Sequence, residues 1–427
     1  MEELLTWGAE LLRALGRLAQ NPFYYISILI IVLQIRRQIK LERKLFHTRL
    51  HSLLGETWRV WLAGLAAGAA ASVLLVLLGA NLPAGAVWYL WAIALLLMLI
   101  RVRYLCIAYA AGVLGILKAA AVWMPQLAEE RSTAWLFEPL ASMELASLLM
   151  LVGVLHLAEG LLVRWQGARL ATPVFFESKR GKLVGGYLMQ GFWPLPLFLL
   201  TPAGGDGSFA LSWAPMLASG ADTAGWGLAA LPAMLGFSTY TLSRMPAAKA
   251  KANAGLLAGY GLVIMGAAVV AHYWSPFLLI ASVLAIGLHE AMILYTSWQE
   301  EQAKPYFVHD DRGLFIQAVL PNSPAAAMGL QPGEVIHKVN QVPVRTKEQL
   351  HLAMQRNPAY CKLEVLNLEG HSKFAGHALY ANEHHQLGIL LAPDDKALYY
   401  LSTRPVSFLS YLRGKLSGVK ENRQASA

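Results

Sequence analysis

A chain of 427 residues that is 56% hydrophobic and 14% charged, with a mean hydropathy of +0.45, is too apolar for one soluble core and reads as a polytopic membrane protein. Its net charge of +9 would suggest nucleic acid in a soluble protein, but here Lys and Arg sit at the ends of apolar runs, as topology signals and headgroup contacts, so no nucleic-acid partner is expected. Cys106, inside an apolar run, and Cys361, far along the chain, match no metal or redox spacing and exclude a disulfide framework.

At the start, Leu4, Leu11, Leu12, Leu15 and Leu18 recur at helical spacing opposite Glu10, Arg13 and Arg17. That pattern predicts, over residues 1–21, a short helix in the membrane interface or a cap packed on the bundle. The first apolar run, Phe23 to Ile35, lacks a small-residue cleavage site after it and should remain as an anchor. Within a bundle over residues 22–297, spans are expected at about 22–36, 57–79, 84–100, 103–124, 145–163, 184–201, 223–242, 253–272 and 276–296. Several are short or interrupted, so the count lies between eight and ten. Small-residue stretches such as Gly64 to Ala71 permit close helix approach.

Orientation follows from the basic residues. Arg36 to Lys44 is the densest basic stretch and follows the first span, so it should be cytoplasmic. Arg101 and Arg103, then Arg164, Arg169, Lys179, Arg180 and Lys182, then Arg244, Lys249 and Lys251 occupy every second connection after it, whereas Glu129, Glu130, Glu138, Asp206 and Asp222 mark the others. Nine spans with the N-terminus outside satisfy every loop and put the segment after Trp298 in the cytoplasm.

From about residue 298 the composition changes to short alternating runs. Gly313 to Leu320 predicts a strand; Asn322 or Ser323 caps a short helix with Pro324 at its first position, and Gly329 ends it. Gln331 to Glu334 is a turn, Val335 to Asn340 a strand, and Val342 to Val344 a brief edge strand. Thr346 with Gln349 opens a helix to about Arg356, and strands follow at 362–368 and 373–379. Through Ser323-Pro324-Ala325-Ala326, Met328-Gly329-Leu330, Gln331-Pro332-Gly333-Glu334-Val335-Ile336 and Val339-Asn340-Gln341, the stretch 298–393 resembles a PDZ domain of the permuted bacterial type, with Glu334 where that family usually has Asp. The expected fold is therefore a polytopic α-helical membrane bundle followed by a small α+β PDZ domain.

In that arrangement the loop receiving a ligand carboxylate belongs with the last strand. Leu387, Gly388, Ile389 and Leu390 have the needed chemistry, and Leu350, Ala353 and Met354 on the helix from Lys347 form the other wall, or else belong to the module core. His384 and His385 read as exposed polar residues.

A span followed by a PDZ module invites comparison with site-2-type intramembrane metalloproteases, which need His-Glu-x-x-His. His289-Glu290 has the first two residues, but Ile293 stands where the second ligand must be. No catalytic residue, metal or cofactor is implied. His156, Glu159, His289 and Glu290 are costly inside a membrane and call for interhelical hydrogen bonds or, alternatively, a proton or substrate path. The tail at 394–427, with Arg413, Lys415, Lys420 and Arg423, is basic enough to be drawn to anionic lipid, or is simply a disordered terminus.

The layout, with the juxtamembrane stretch Glu42 to Arg49, a multispan bundle and one C-terminal PDZ module, resembles the MinJ family of cell-division topological determinants. The resemblance implies a non-catalytic scaffold that connects DivIVA-like and MinD-like proteins at poles and septa of the cell membrane. A diverged protease gated by its PDZ module, or a PDZ-bearing transporter or sensor, remains the alternative, and dimerisation of the bundle stays open.

Overall fold

The computed structural model describes residues 2–401 except 47, 83, 179–180, 204–207, 218–224, 310, 380–386 and 394–399. Lys179, Arg180, Asp206, Asp222, His384, His385 and the tail from 402 therefore lie outside the described residues.

The apolar runs fold into α1 (Glu2–Gln20), α2 (Pro22–Phe46), α3 (Leu53–Leu78), α4 (Ala84–Ile100), α5 (Ile107–Trp123), the short α6 (Gln126–Glu129) and α7 (Ala134–Ser142), and α8 (Ala146–Gln166). Strands β1 (Ala171–Glu177), β2 (Leu183–Pro202) and β3 (Trp226–Thr241) come next, then α9 (Pro246–Tyr273) and α10 (Phe277–Gln302). Among the described residues α3, α8, α9 and α10 are each long and apolar enough to cross a membrane, and α1 with α2, bent by 58°, supplies a fifth. Helix α8 is buried over nearly its whole length and forms the axis of the bundle. Gly153 of α8 and Gly261 of α9 face each other so closely that a methyl on either would meet the other's carbonyl oxygen, at 2.8 and 2.7 Å.

Helix α1 turns Leu11, Leu12 and Leu15 outward, Leu12 being 71% exposed, and lays Ala14 and Leu18 inward. Its Arg17 donates to the Leu228 carbonyl of β3 at 2.8 Å, so the helix both packs on the protein and presents an apolar face.

Two of the nine expected spans, at 184–201 and 223–242, are β2 and β3, not helices. They pair antiparallel from Tyr187 opposite Thr241 to Pro202 opposite Trp226, a ribbon of about 50 Å at 3.3 Å per residue, with β1 covering the near end of β2. The reason is in the residues. Pro194 and Pro196 would each remove a hydrogen bond from a helix interior, at about 3 kcal/mol apiece. Spaced by two on a strand, they withdraw amide donors along one edge only. Helix α3 lies along that edge: Gly64 and Gly68 abut the Pro194 and Pro196 backbone, and the next edge amide, Phe198, donates to Ser72 Oγ at 2.9 Å. The small-residue stretch thus admits a sheet, and the donors at Pro194, Pro196 and Phe198 are removed or satisfied, as an apolar environment demands.

The ends of α2, α8 and α10 and the starts of α3 and α9 gather with β1 at one end of the molecule. Gln38 bonds Thr172 there at 2.6 Å and Arg169 approaches Glu56 at 3.6 Å. The bases of the α2 C-terminal half, Arg164, Arg169 and Arg244 all belong to this end. Lys249 does too, but as a buried partner of Glu300 and not as a surface base. Helices α4 and α5 are shorter, and Arg103 in their connecting turn meets Glu290, about 18 Å before the end of α10.

The C-terminal module contains β4 (Leu314–Val319), α11 (Pro324–Ala327), β5 (Val335–Val339), β6 (Val342–Pro343), α12 (Lys347–Gln355), β7 (Tyr360–Leu366), β8 (Ser372–Ala378) and β9 (Ile389–Leu391). Its sheet runs β8-β7-β5-β4-β9, with β6 beside β5. Ser323 caps α11 by accepting from the Ala326 amide at 3.2 Å, and Thr346 caps α12 through the Gln349 amide at 3.2 Å. Glu334 closes its turn by accepting from Gln331 N at 2.9 Å and pairing with Lys373 at 3.0 Å, which accounts for the tolerated change from Asp.

This module is fixed against the bundle. Gln317 of β4 donates to the carbonyls of Gly186 and Val174 at 2.7 and 3.1 Å, Tyr187 donates to the Gln317 carbonyl, and Gly185 N bonds Phe307 O at 2.8 Å. Tyr187, Phe307, Phe315, Val335 and Ala392 bury a shared apolar patch.

Candidate functional site

Two places bring the sequence-selected residues together. The first is the open edge of the C-terminal sheet. Among the described residues strand β9 pairs with β4 on one side only, Val319 opposite Ile389 and Ala318 opposite Leu390. Just before it, Leu387 O accepts from Ala325 N at 2.9 Å and Gly388 O from Leu320 N at 2.8 Å. In a trans peptide the N–H opposes the C=O, and no cis bond is present among the described residues, so the amide of Gly388 points away from Ala325 and that of Ile389 away from Leu320. Gly388 has φ +77°, and a Cβ there would lie 2.2 Å from that of Ser323. Outward-pointing amides beside a strand edge that is unpaired among the described residues suit a peptide C-terminus that extends the sheet. On the helical wall, Ala353 and Met354 are buried in the module core with Leu387 and Leu391, while Leu350 and Ile389 are only half-buried against it. The wall a ligand could touch is therefore narrower than sequence spacing suggested.

The second place lies inside the bundle, roughly 15 to 20 Å before the ends of α8 and α10 at 1.5 Å per residue. His156 of α8 and His289 of α10 face each other edge-on, ring centroids 5.2 Å apart, with Tyr260 of α9 against both. Small residues permit the convergence: Gly112 and Gly115 of α5 accept Ile286 and Ser282 of α10, which carries Cys106, the residue before α5, up to the histidines. Cys106 Sγ lies 3.5 Å from His156 Nε2 and 3.7 Å from His289 Nε2. Sequence spacing missed Cys106 because the three side chains come from three elements. Glu159, one turn along α8 from His156, is buried beside them.

Glu290, although next to His289, points elsewhere. It binds Arg103 and accepts from Tyr109 Oη at 2.6 Å, beside a shallow cavity of about 260 Å³ lined by Leu97, Tyr104, Tyr109, Val113, Ile286 and Glu290. Arg103 and Tyr109 are partners that sequence alone did not select.

Comparison with known proteins decides the family. The PDZ domain family matches residues 296–366. Over 401 residues, 91% of this chain and 97% of the relative, the chain is 30% identical to the cell division topological determinant MinJ of Bacillus subtilis. This chain belongs to the MinJ family. A probable MinJ of Lacticaseibacillus paracasei is 28% identical over 83% of this chain and 91% of its own length. A shorter likeness, 51% over 43 residues, links 10% of this chain to 6% of the magnetosome formation protease MamE of Paramagnetospirillum magneticum. The MinJ relationship spans bundle and PDZ domain together, whereas the protease likeness is local. A division-related role and a membrane-associated architecture with a PDZ domain follow for this MinJ-family chain.

Proposed function

We propose that this protein is a non-catalytic membrane scaffold whose PDZ domain faces the cytoplasm and captures protein partners at division septa and poles, joining a DivIVA-like protein to a MinD-like one. The observation that carries it is near-full-length kinship with division determinants. The gathering of basic residues at the PDZ end supports the orientation. Absence of catalysis is supported by Ile293 in the broken metalloprotease motif and by the engagement of Glu290 with Arg103 and Tyr109. The proposed peptide site is the Leu387–Leu390 loop with β9 and the half-buried Leu350 of α12.

Two measurements test this. A fluorescent fusion of the full chain should concentrate at septa, and Gly388→Val should leave it in the membrane but spread evenly, because the αL backbone and the Ser323 contact exclude a side chain. Uniform fluorescence of the unaltered fusion would refute the reading. For orientation, exposed Glu369 in the β7–β8 turn and Glu130 after α6 are each replaced by Cys. An impermeant thiol reagent should mark Glu130→Cys in intact cells and leave Glu369→Cys unmarked. Native Cys361 does not interfere, being fully buried with its thiol pushed up to about 11 by that burial. The opposite labelling would remove the cytoplasmic scaffold.

A further inference from the structure

We propose that Cys106, His156 and His289 form a structural binding site for a thiophilic divalent cation of the zinc class, clamping α5, α8 and α10 together inside the bundle. The three ligand atoms lie within 4.8 Å of one another, and a water would complete the four-coordinate shell. For a tetrahedral zinc ion, bond lengths of about 2.3 Å to sulfur and 2.05 Å to nitrogen place each sulfur about 3.5 Å from each nitrogen. The two Sγ–Nε2 separations, 3.5 and 3.7 Å, are of that size.

The histidine chemistry agrees. His156 Nδ1 lies 2.8 Å from the Val152 carbonyl, which cannot donate, so the proton sits on Nδ1 and the Nε2 lone pair faces Cys106. That is the tautomer a metal requires. His289 also presents Nε2 to the sulfur, while its Nδ1, on the far side of the ring, is buried with no partner among the described residues. Binding releases the Cys106 thiol proton to solvent, and the resulting thiolate offsets one of the ion's two positive charges.

The site differs from a protease centre, because Glu290 is turned toward Arg103 and Tyr109 and the third ligand is a cysteine from the turn just before α5. Nor does it touch the PDZ groove, so its test is independent of localisation.

The full-length protein in detergent, stripped with a chelator, is titrated with Zn²⁺ and separately with Co²⁺. One equivalent of zinc should bind, and Co²⁺ should give the near-ultraviolet thiolate charge-transfer band and the intense visible bands of a four-coordinate ion. Cys106→Ser should abolish the charge-transfer band and weaken zinc binding roughly 100-fold or more, whereas Cys361→Ser should change neither. A folded, monodisperse wild-type protein that takes up no zinc, or a cobalt spectrum without the thiolate band, would overturn the proposal and leave a neutral Cys–His hydrogen-bonded cluster. Undiminished zinc binding by Cys106→Ser would overturn it equally. Because the cobalt spectrum is read on the wild-type chain, a variant that fails to fold does not shelter the idea.

Discussion

Replacing Glu300 by Ala is expected to destabilise the protein by about 3–5 kcal/mol, the usual cost of leaving one member of a buried ion pair uncompensated. Glu300 is 5% exposed and Lys249 2%. One carboxylate oxygen takes Lys249 Nζ at 2.9 Å, and the other takes the amides of Leu242 and Ser243 at 3.0 and 3.2 Å and the Ser243 hydroxyl at 3.0 Å. A single side chain thus joins the end of β3, the first turn of α9 and the last turn of α10, where the chain leaves for the PDZ domain. Tyr306 N bonds Leu242 O at 2.7 Å just beyond it, so loosening this joint should also loosen the domain's seat. Thermal unfolding followed by tryptophan fluorescence in detergent should show a large fall in midpoint, with earlier proteolysis between bundle and domain. Combining Glu300→Leu with Lys249→Met should recover only part of the loss. The stranded charge is then gone, but three donors of Leu242 and Ser243 still lack an acceptor. Glu369→Gln, on the exposed β7–β8 turn, should alter the midpoint hardly at all, its pairing with His371 being open to water. An Ala variant as stable as the parent would mean the joint is carried by the neighbouring apolar patch alone.

The parts of this molecule that were legible in its sequence are those where the chemistry is local. Ser323-Pro324, Gly329, Gly333 and Thr346 each specify a cap or a turn within a few residues, and the PDZ strands fall between them as expected. Seven apolar runs are helices for the same reason. The hairpin was not legible to a hydropathy window, because β2 and β3 are as long and apolar as spans. Their signal was positional: Pro194 and Pro196 two apart, with Gly185, Gly186, Gly191, Pro232 and Gly236 scattered through both runs, which suits an edge strand and breaks a helix. The inner cluster was half legible. His156 and His289 stood out as buried ionisable residues, but Cys106 joins them only through the packing of α5 on α10, which no spacing along the chain encodes. In the groove, periodicity put Leu350, Ala353 and Met354 on one face without separating core from wall, since both are apolar.

The other large effect is expected where α3 meets the hairpin. A Cβ on Gly64 would stand 2.3 Å from the Pro194 carbonyl oxygen, and one on Gly68 2.7 Å from that of Pro196. These neighbours are backbone, held in register by β3, with Met234 opposite Pro194 and Pro232 opposite Pro196, so they cannot swing aside as a flexible side chain would. Overpacking ordinarily costs about 1–3 kcal/mol, and Gly64→Val, whose branched carbon adds bulk at the point of contact, should reach or pass the top of that range. Gly64→Val with Gly68→Val should separate α3 from the sheet along its length and yield little monodisperse protein in detergent. Ser72→Ala probes the same seam without adding bulk: it orphans the Phe198 amide and should cost about 1–3 kcal/mol. Gly259→Ala on the exposed face of α9, where nothing lies within 4 Å, should instead be neutral or stabilise by up to about 1 kcal/mol through helix propensity. If Gly64→Val behaved like Gly259→Ala in thermal unfolding, the two runs after β1 would not be lying against α3 as an edge strand and its partner. Glycines four apart would also admit a packed helix, so it is Ser72→Ala, which removes the acceptor of a strand-edge amide that a helix would have bonded internally, that tests the hairpin assignment itself.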